Sequence, residues 1–511
     1  MKRLHTFPLW LAALCCLLMT GCRNDVPDSF TRQERQPKIF PDYCDVTIPS
    51  NIAPLSFMIR EEGTDFVTRY ACGDEEIVCS GPKAMPSVDD WHDLLDEAKG
   101  KDITVEVYAR NNDGTWTQYR PFALHVATEP IDEYLSYRLI APSYVTYESL
   151  TINQRNLTNY DESEIYNNML ASEGEDGQCI NCHSYQNYST KNMQFHARQT
   201  HGGTMLVVDG EPKKIDLKTD STLSGGVYPT WHPTQKVIAY SVNITGQSFH
   251  TKDPEKVEVQ DSHSDLILYD IETNTVQKIA DEPDELETYP SWSPDGNYLY
   301  FCSARYHYDE EKGGDRALMD AYRSIRYNLY RMPYDQNTKT FGPRELVFDA
   351  DTLGKSATLP RISPDGRWLV FSLGDYGCFH IWHKSSDLWI MNLGTDAAHQ
   401  DLAAARATTH KMENINSNDV ESYHSWSSNG RWMVVSSRRI DGSYTRPFIA
   451  YVDKEGKARK PFVLPQEDPE FYYDFYRSYN IPEFMREPVT ISPQHFARVF
   501  KGEALKATFR K

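Results

Sequence analysis

Positive charge is in short supply: 53 Lys and Arg stand against 73 Asp and Glu, a formal charge of -20. Such a chain repels a phosphate backbone, which argues against nucleic acid as a partner. Long apolar runs are also missing. After the first residues, no segment approaches the roughly 20 apolar residues that a spanning helix requires. There is no Ser-His-Asp nucleophile elbow and no phosphate-cradling glycine loop, so the common signatures of hydrolases and nucleotide enzymes are absent.

The start of the chain has the layout of an export signal. Met1-Lys2-Arg3 is followed by an apolar stretch from Phe7 to Met19 and then by Thr20-Gly21-Cys22. Met19-Thr20-Gly21-Cys22 resembles the bacterial lipobox, with Met in place of the commoner Leu. The resemblance implies a signal over residues 1–21, a lipid on Cys22 and a tether over 22–40. It also implies a place in the cell envelope, on the outer membrane at its periplasmic or surface side, with the lipid membrane as a partner through the anchor. Of the ten cysteines, Cys72 and Cys79 are close enough in sequence for a local disulfide in an oxidising compartment. Cys302 and Cys378 follow apolar strand residues and read as small core groups.

Residues 41–150 show period-2 alternation, as in Ile103-Thr104-Val105-Glu106-Val107-Tyr108, with turn residues such as Asn111-Asn112-Asp113-Gly114 between stretches. A β-sandwich-like domain is expected, interrupted by one helix. Ser87 caps that helix, Asp90 lies three residues on, and Trp91, Leu94 and Leu95 share a face. Residues 151–202 are polar and read as a connecting loop, and residues 466–511 as a C-terminal tail.

Between them a repeat recurs. Tyr228-Pro229-Thr230-Trp231, Tyr289-Pro290-Ser291-Trp292-Ser293-Pro294-Asp295-Gly296, Leu359-Pro360-Arg361-Ile362-Ser363-Pro364-Asp365-Gly366 and Tyr423-His424-Ser425-Trp426-Ser427-Ser428-Asn429-Gly430 are each followed by an apolar strand. Asp-Gly and Asn-Gly pairs close tight hairpins. The element resembles the TolB-like, WD-type propeller family over residues 203–465, which implies four-stranded blades. Four blades are clear, and five or six are expected once strands from the loop or tail complete the ring. Long insertions at Tyr306–Asn328 and Thr395–Asn418 are candidates for a binding face. His232 and His424 lie inside the repeat and read as structural. Cys378 and His380 alternate as on a strand, with His383 on the other face, which argues against a metal there.

Cys179-Ile180-Asn181-Cys182-His183 is the attachment signature of c-type haem, and it occurs once. Two thiols three residues apart reach neighbouring vinyl groups, and the next residue is directed at the iron. One covalent haem c is expected, with His183 as the fifth ligand. His201 is the favoured sixth ligand because Gly202-Gly203 permits close backbone approach. Met193 is the next candidate and His196 the third. Arg198 offers a planar fork to a haem propionate. These features imply a mainly β protein that exchanges single electrons with a redox protein docked on the propeller. A haem enzyme acting on a small molecule and a pure binding module remain the alternatives.

Overall fold

The computed structural model describes residues 26–141, 149–173, 177–311, 313–394 and 400–510. The expected signal segment, residues 1–21, and Cys22 lie outside the described residues. The chain is mainly β and folds as an N-terminal sandwich-like domain against a propeller.

The N-terminal domain has a seven-stranded sheet facing a three-stranded one. Its helix runs Val88–Ala98, where Ser87 Oγ accepts from the Asp90 amide and Trp91, Leu94 and Leu95 are buried. An oxygen-bearing cap beside an apolar stripe is what sets this helix. Cys72 and Cys79 do not meet. In their hairpin Cys79 lies opposite Thr68 and Cys72 opposite Glu75, a register that forbids the disulfide. Part of the expected tether is structure: Thr31–Arg32 joins the large sheet and Ile39–Phe40 the small one.

The strand pairing of the propeller resolves into six four-stranded units. The first is Gln178–Gln186, Ser189–Gln199, Gly203–Val208 and Glu211–Asp216. The second, third, fourth and fifth begin with Val227–Trp231, Glu285–Trp292, Ser356–Ile362 and Glu421–Trp426. A single parallel pairing, Ser264 with Leu286, links the second and third. The sixth unit is built from both ends of the sequence. Its innermost strand, Ser478–Met485, pairs with Tyr134–Ile140, which pairs with Thr151–Asn156 and then Glu162–Asn167.

Three sequence expectations are corrected by this topology. The sandwich-like domain does not extend to residue 150, because Tyr134–Ile140 belongs to the propeller. Residues 151–202 are no connecting loop, because they supply strands to the sixth and first units. The segment 466–511 is no tail. It provides the closing strand, a helix Pro493–Lys501, and two short strands that extend the first and second units. Phe496 and Phe500 of that helix are fully buried against Tyr166 and Phe195. Each such ring contributes about 1.5–3 kcal/mol by its burial. The polar residues of 151–202 mislead because their strands alternate between a packed face (Phe195, Ala197) and a cavity face (His196, Arg198).

Candidate cofactor site

Each unit's first strand carries a bulge at one equivalent residue. These are Cys182, Tyr228, Tyr289, Leu359, Tyr423 and Ile481, with φ of 59°, 48°, 50°, 55°, 39° and 51°. A bulge forces one residue into the left-handed region, at a cost for a branched side chain such as Ile481 that packing must offset. The next residue is Pro229, Pro290, Pro360 or Pro482 in four units, where a missing N–H is no loss to a broken ladder. In the other two it is His183 and His424. The Cys-His of the haem motif is therefore also a copy of the blade repeat, Cys182-His183-Ser184-Tyr185, and the six bulge residues line one narrow pocket at the centre of the ring.

Beside that pocket lies a cavity of about 440 Å³, within the size range of cofactor sites. Cys182, Tyr228, Tyr423 and Ile481 border both. Cys179, His196, Arg198 and Arg138 form one wall, and Phe379, Ile381, Trp382 and Arg438 another. The extended hairpin of the second unit, Val237–Phe249 with Val257–Asp270, contributes Thr245, Gln247, Phe249, Val257 and Val259. Arg438 lies over the Trp382 ring at 3.0 Å from its centroid. Of the two insertions noted in the sequence, Tyr306–Asn328 packs on the back of this hairpin, where Met319 Sδ accepts from Ser248 and Gln260. The described part of the other carries a helix, Leu402–Ala407, whose Arg406 donates to the Leu346 carbonyl in the third unit.

The structure thus brings Cys179, Cys182 and Arg198 together with His196 and Arg138. It does not bring Met193 or His201 to them. Met193 is fully buried in the apolar core between the first unit and the helix Pro493–Lys501, on the opposite face of the strand from His196. His201 sits on a surface turn at φ 54°, with Nε2 3.1 Å from Glu173 Oε1. Period-2 alternation decides the matter: residues 194, 196 and 198 face one way, and 193, 195 and 197 the other. His183 is also outside the cavity. Its ring is 1% exposed and lines the central pocket, and neither ring nitrogen makes a well-formed hydrogen bond among the described residues.

Burial, with Arg138 adding to it, pushes His183 down to about 3. Burial, aided by Arg198, does the same to His196, also to about 3. Both rings are neutral at ordinary pH, the form that ligates metal. His196 Nδ1 is 3.2 Å from Thr204 Oγ1, which fixes the ring. Burial raises the Cys182 thiol, an effect opposed by the Tyr228 amide, Arg198 and Arg138.

The residues fit part of what a covalent porphyrin needs. Two thiols, three guanidiniums and a neutral imidazole border one cavity, while the imidazole of the motif itself does not.

No family model matches this chain, and no curated protein is significantly similar. Among solved structures it is similar to a Synechocystis apocarotenoid oxygenase, at 12% identity over 85% of this chain and 95% of that one, with a TM-score of 0.35. An oligogalacturonate lyase in complex with manganese matches at 12% identity over 64% and 73% of the two chains, TM-score 0.33. The tricorn protease matches at 11% identity over 71% of this chain and 34% of its own, TM-score 0.32. Scores this low do not bear on activity.

Proposed function

We propose that this chain is an exported, lipid-anchored c-type haem protein whose porphyrin occupies the cavity beside Cys179 and Cys182. The observation that carries this reading is that both motif cysteines open on one cavity bordered by Arg138, Arg198 and Arg438. Cys179 and Cys182 would hold the group by thioether bonds, and the guanidiniums would neutralise its propionates. When bound, the haem supplies one-electron chemistry. The protein's residues then exclude water with Phe379, Ile381 and Trp382, and keep a neutral imidazole, His196, on the cavity wall. A redox protein docked on the propeller face is the proposed partner, and the Cys22 anchor holds the pair at the membrane surface.

A second reading, small-molecule chemistry at the iron, is favoured by Asn243, Thr245, Gln247 and Asn480 in the cavity's lining. Asn243 and Thr245 donate to Asp261, and Gln247 and Asn480 add uncharged polar groups that suit a ligand better than they suit a porphyrin face.

The deciding experiment is maturation in a haem-attaching host of the wild type and of Cys179→Ala combined with Cys182→Ala. The wild type is expected to give covalent haem staining and a Soret band. The double variant is expected to lose both and keep its β-type circular dichroism. Wild-type protein without covalent haem, or staining that persists in the double variant, would overturn the reading.

A further inference from the structure

A second cluster lies behind the cavity wall, between the second and fourth units. Glu258 stands near the start of the strand Val257–Asp270, and Glu255 just before it. His383 follows the short 3-10 turn His380–Trp382 of the fourth unit. That turn overrides the strand alternation expected for Cys378–His383, and it brings the His380 and His383 rings to 5.4 Å. One ligand atom from each of Glu255, Glu258 and His383 lies within 4.8 Å of the others, a spread that one ion bound at about 2.0–2.2 Å can close with small shifts.

The burial of the set is what calls for a cation. The side chains of His383 and Glu258 are 0% and 2% exposed, and His383 Nε2 meets Glu258 Oε2 at 2.8 Å. The other Glu258 oxygen is met by the amide of Val259 at 3.3 Å, and His383 Nδ1 has no hydrogen-bond partner among the described residues. The nearby guanidinium, Arg323, is engaged by Asp253 at 2.5 Å and is 3.9 Å from Glu255. A carboxylate this deep is costly unless a positive charge compensates it. The outer shell is present as well: Tyr376 donates its hydroxyl to Glu255 Oε2, and the Glu255 side chain is 19% exposed, which leaves an entry path.

We infer that Glu255, Glu258 and His383 form a site for one divalent transition cation of the zinc or manganese class. Two carboxylates and one imidazole suit these ions, and neither a soft thiolate site nor an all-oxygen calcium cage is present. On binding, the Glu258–His383 hydrogen bond is exchanged for two metal bonds through Glu258 and His383 Nε2: a doubly protonated ring releases its Nε2 proton to solvent, and a neutral ring binds with its single proton on Nδ1. The ion joins the second unit's hairpin to the fourth unit's turn. Val257 and Val259 flank Glu258, Phe379, Ile381 and Trp382 precede His383, and all five line the cavity. The site needs no haem to exist.

The test uses the full chain, stripped with chelator, titrated with Zn²⁺ or Mn²⁺ by calorimetry, and assayed for metal by mass spectrometry after gel filtration. One equivalent of one of the two ions is expected, counted apart from iron. Glu258→Gln and His383→Asn should each weaken binding at least about tenfold, and His307→Gln, on the surface, should leave it unchanged. Glu255→Gln, at the more exposed ligand, keeps the test valid should the buried variants misfold, and should weaken binding too. If the wild type retains neither ion, or the folded variants bind as tightly as the wild type, the cluster is a buried His–Glu pair and the inference fails.

Discussion

Arg138 donates from Nη1 to the Ile180 carbonyl at 3.0 Å, across the seam between the sixth and first units. One guanidinium therefore ties the ring's closing unit to the strand that holds both motif cysteines. It is also one of the charges that oppose the burial-driven rise of the Cys182 thiol.

Arg138→Leu removes a charged hydrogen bond, so the unfolding free energy should fall by about 1.5–3 kcal/mol in urea titrations. In protein made without haem, Cys182 should also be alkylated more slowly by iodoacetamide, because the thiolate loses a neighbouring cation. Unchanged alkylation would show that Arg138 has no hold on the thiol.

The axial question has a spectroscopic answer. With haem attached, His196→Ala should shift the ferric spectrum toward high spin, while His201→Ala and Met193→Leu should leave it unchanged, since only His196 shares the thiols' cavity. A high-spin shift in His201→Ala alone would restore the ligand favoured by the sequence.

Phe484, on the closing strand, is 1% exposed and packs in the core shared by the N-terminal domain and the last two units. Phe484→Ala should cost about 3–5 kcal/mol, read from denaturant midpoints. A loss well under 1 kcal/mol would mean that the closing strand adds little to the ring.

His232 is held neutral by its surroundings. Nδ1 accepts from the Thr234 and Gln235 amides at 3.2 and 3.0 Å, and Nε2 donates to the Gly296 carbonyl at 3.1 Å. Protonation would set a third N–H against two amide donors. Burial lowers its pKa to about 4 from the usual 6.5. The folded value is thus below the unfolded one, so this stability is fully present above about 6.5 and is lost as the pH falls through about 4. His183 and His196 lose stability over the same window, so the readout is the difference: in urea titrations against pH, His232→Gln should lose less than the wild type, by on the order of 2–3 kcal/mol.

Glu287 acts in the opposite direction. It is fully buried, and its two carboxylate oxygens make no well-formed hydrogen bond among the described residues. Burial, then Asp265 and Glu285, raise it to about 8 from 4.5. With the folded pKa above the unfolded one, the contribution is complete below about 4.5 and lost as the pH rises through about 8. Glu287→Gln should therefore gain stability relative to the wild type between pH 5 and 8, by a few kcal/mol. No gain at pH 8 would mean that the carboxylate finds a partner when it ionises.

What the sequence revealed follows from how local each signal is. The third, fourth and fifth units were legible because Asp-Gly or Asn-Gly turns close their first hairpins, as where Ser293 Oγ donates to Asp295 at 2.5 Å. The second was legible through Tyr228-Pro229-Thr230-Trp231. In the first unit the outer strands around Thr204–Val208 and Lys214–Leu217 were legible and the innermost was hidden, because Cys182-His183-Ser184-Tyr185 replaces the Pro and Trp; the sixth was hidden because its second strand comes from the far end of the chain. At the site, the cysteines were readable by motif and Arg198 by its nearness to that motif and the reach of its fork, whereas the strand alternation that places His196 beside it was not, because the segment reads as a loop. The grouping of Glu258 with His383 was not, because 125 residues separate them and only the ring's curvature brings them together.

The sixth unit's mixed origin sets an order of events during synthesis. Ser136 meets the Glu483 carbonyl across 347 residues of sequence, so among the described strand pairings this one closes the longest loop, and it cannot form until nearly the whole chain has been delivered. Until then only the three outer strands of the sixth unit can stand beside Gln178–Gln186, and the place of its innermost strand, next to Cys182 at the central pocket, is an open notch. On the proposed function, the enzyme that attaches the haem would have its access while the ring is a horseshoe, and the arrival of Ser478–Met485 would end it.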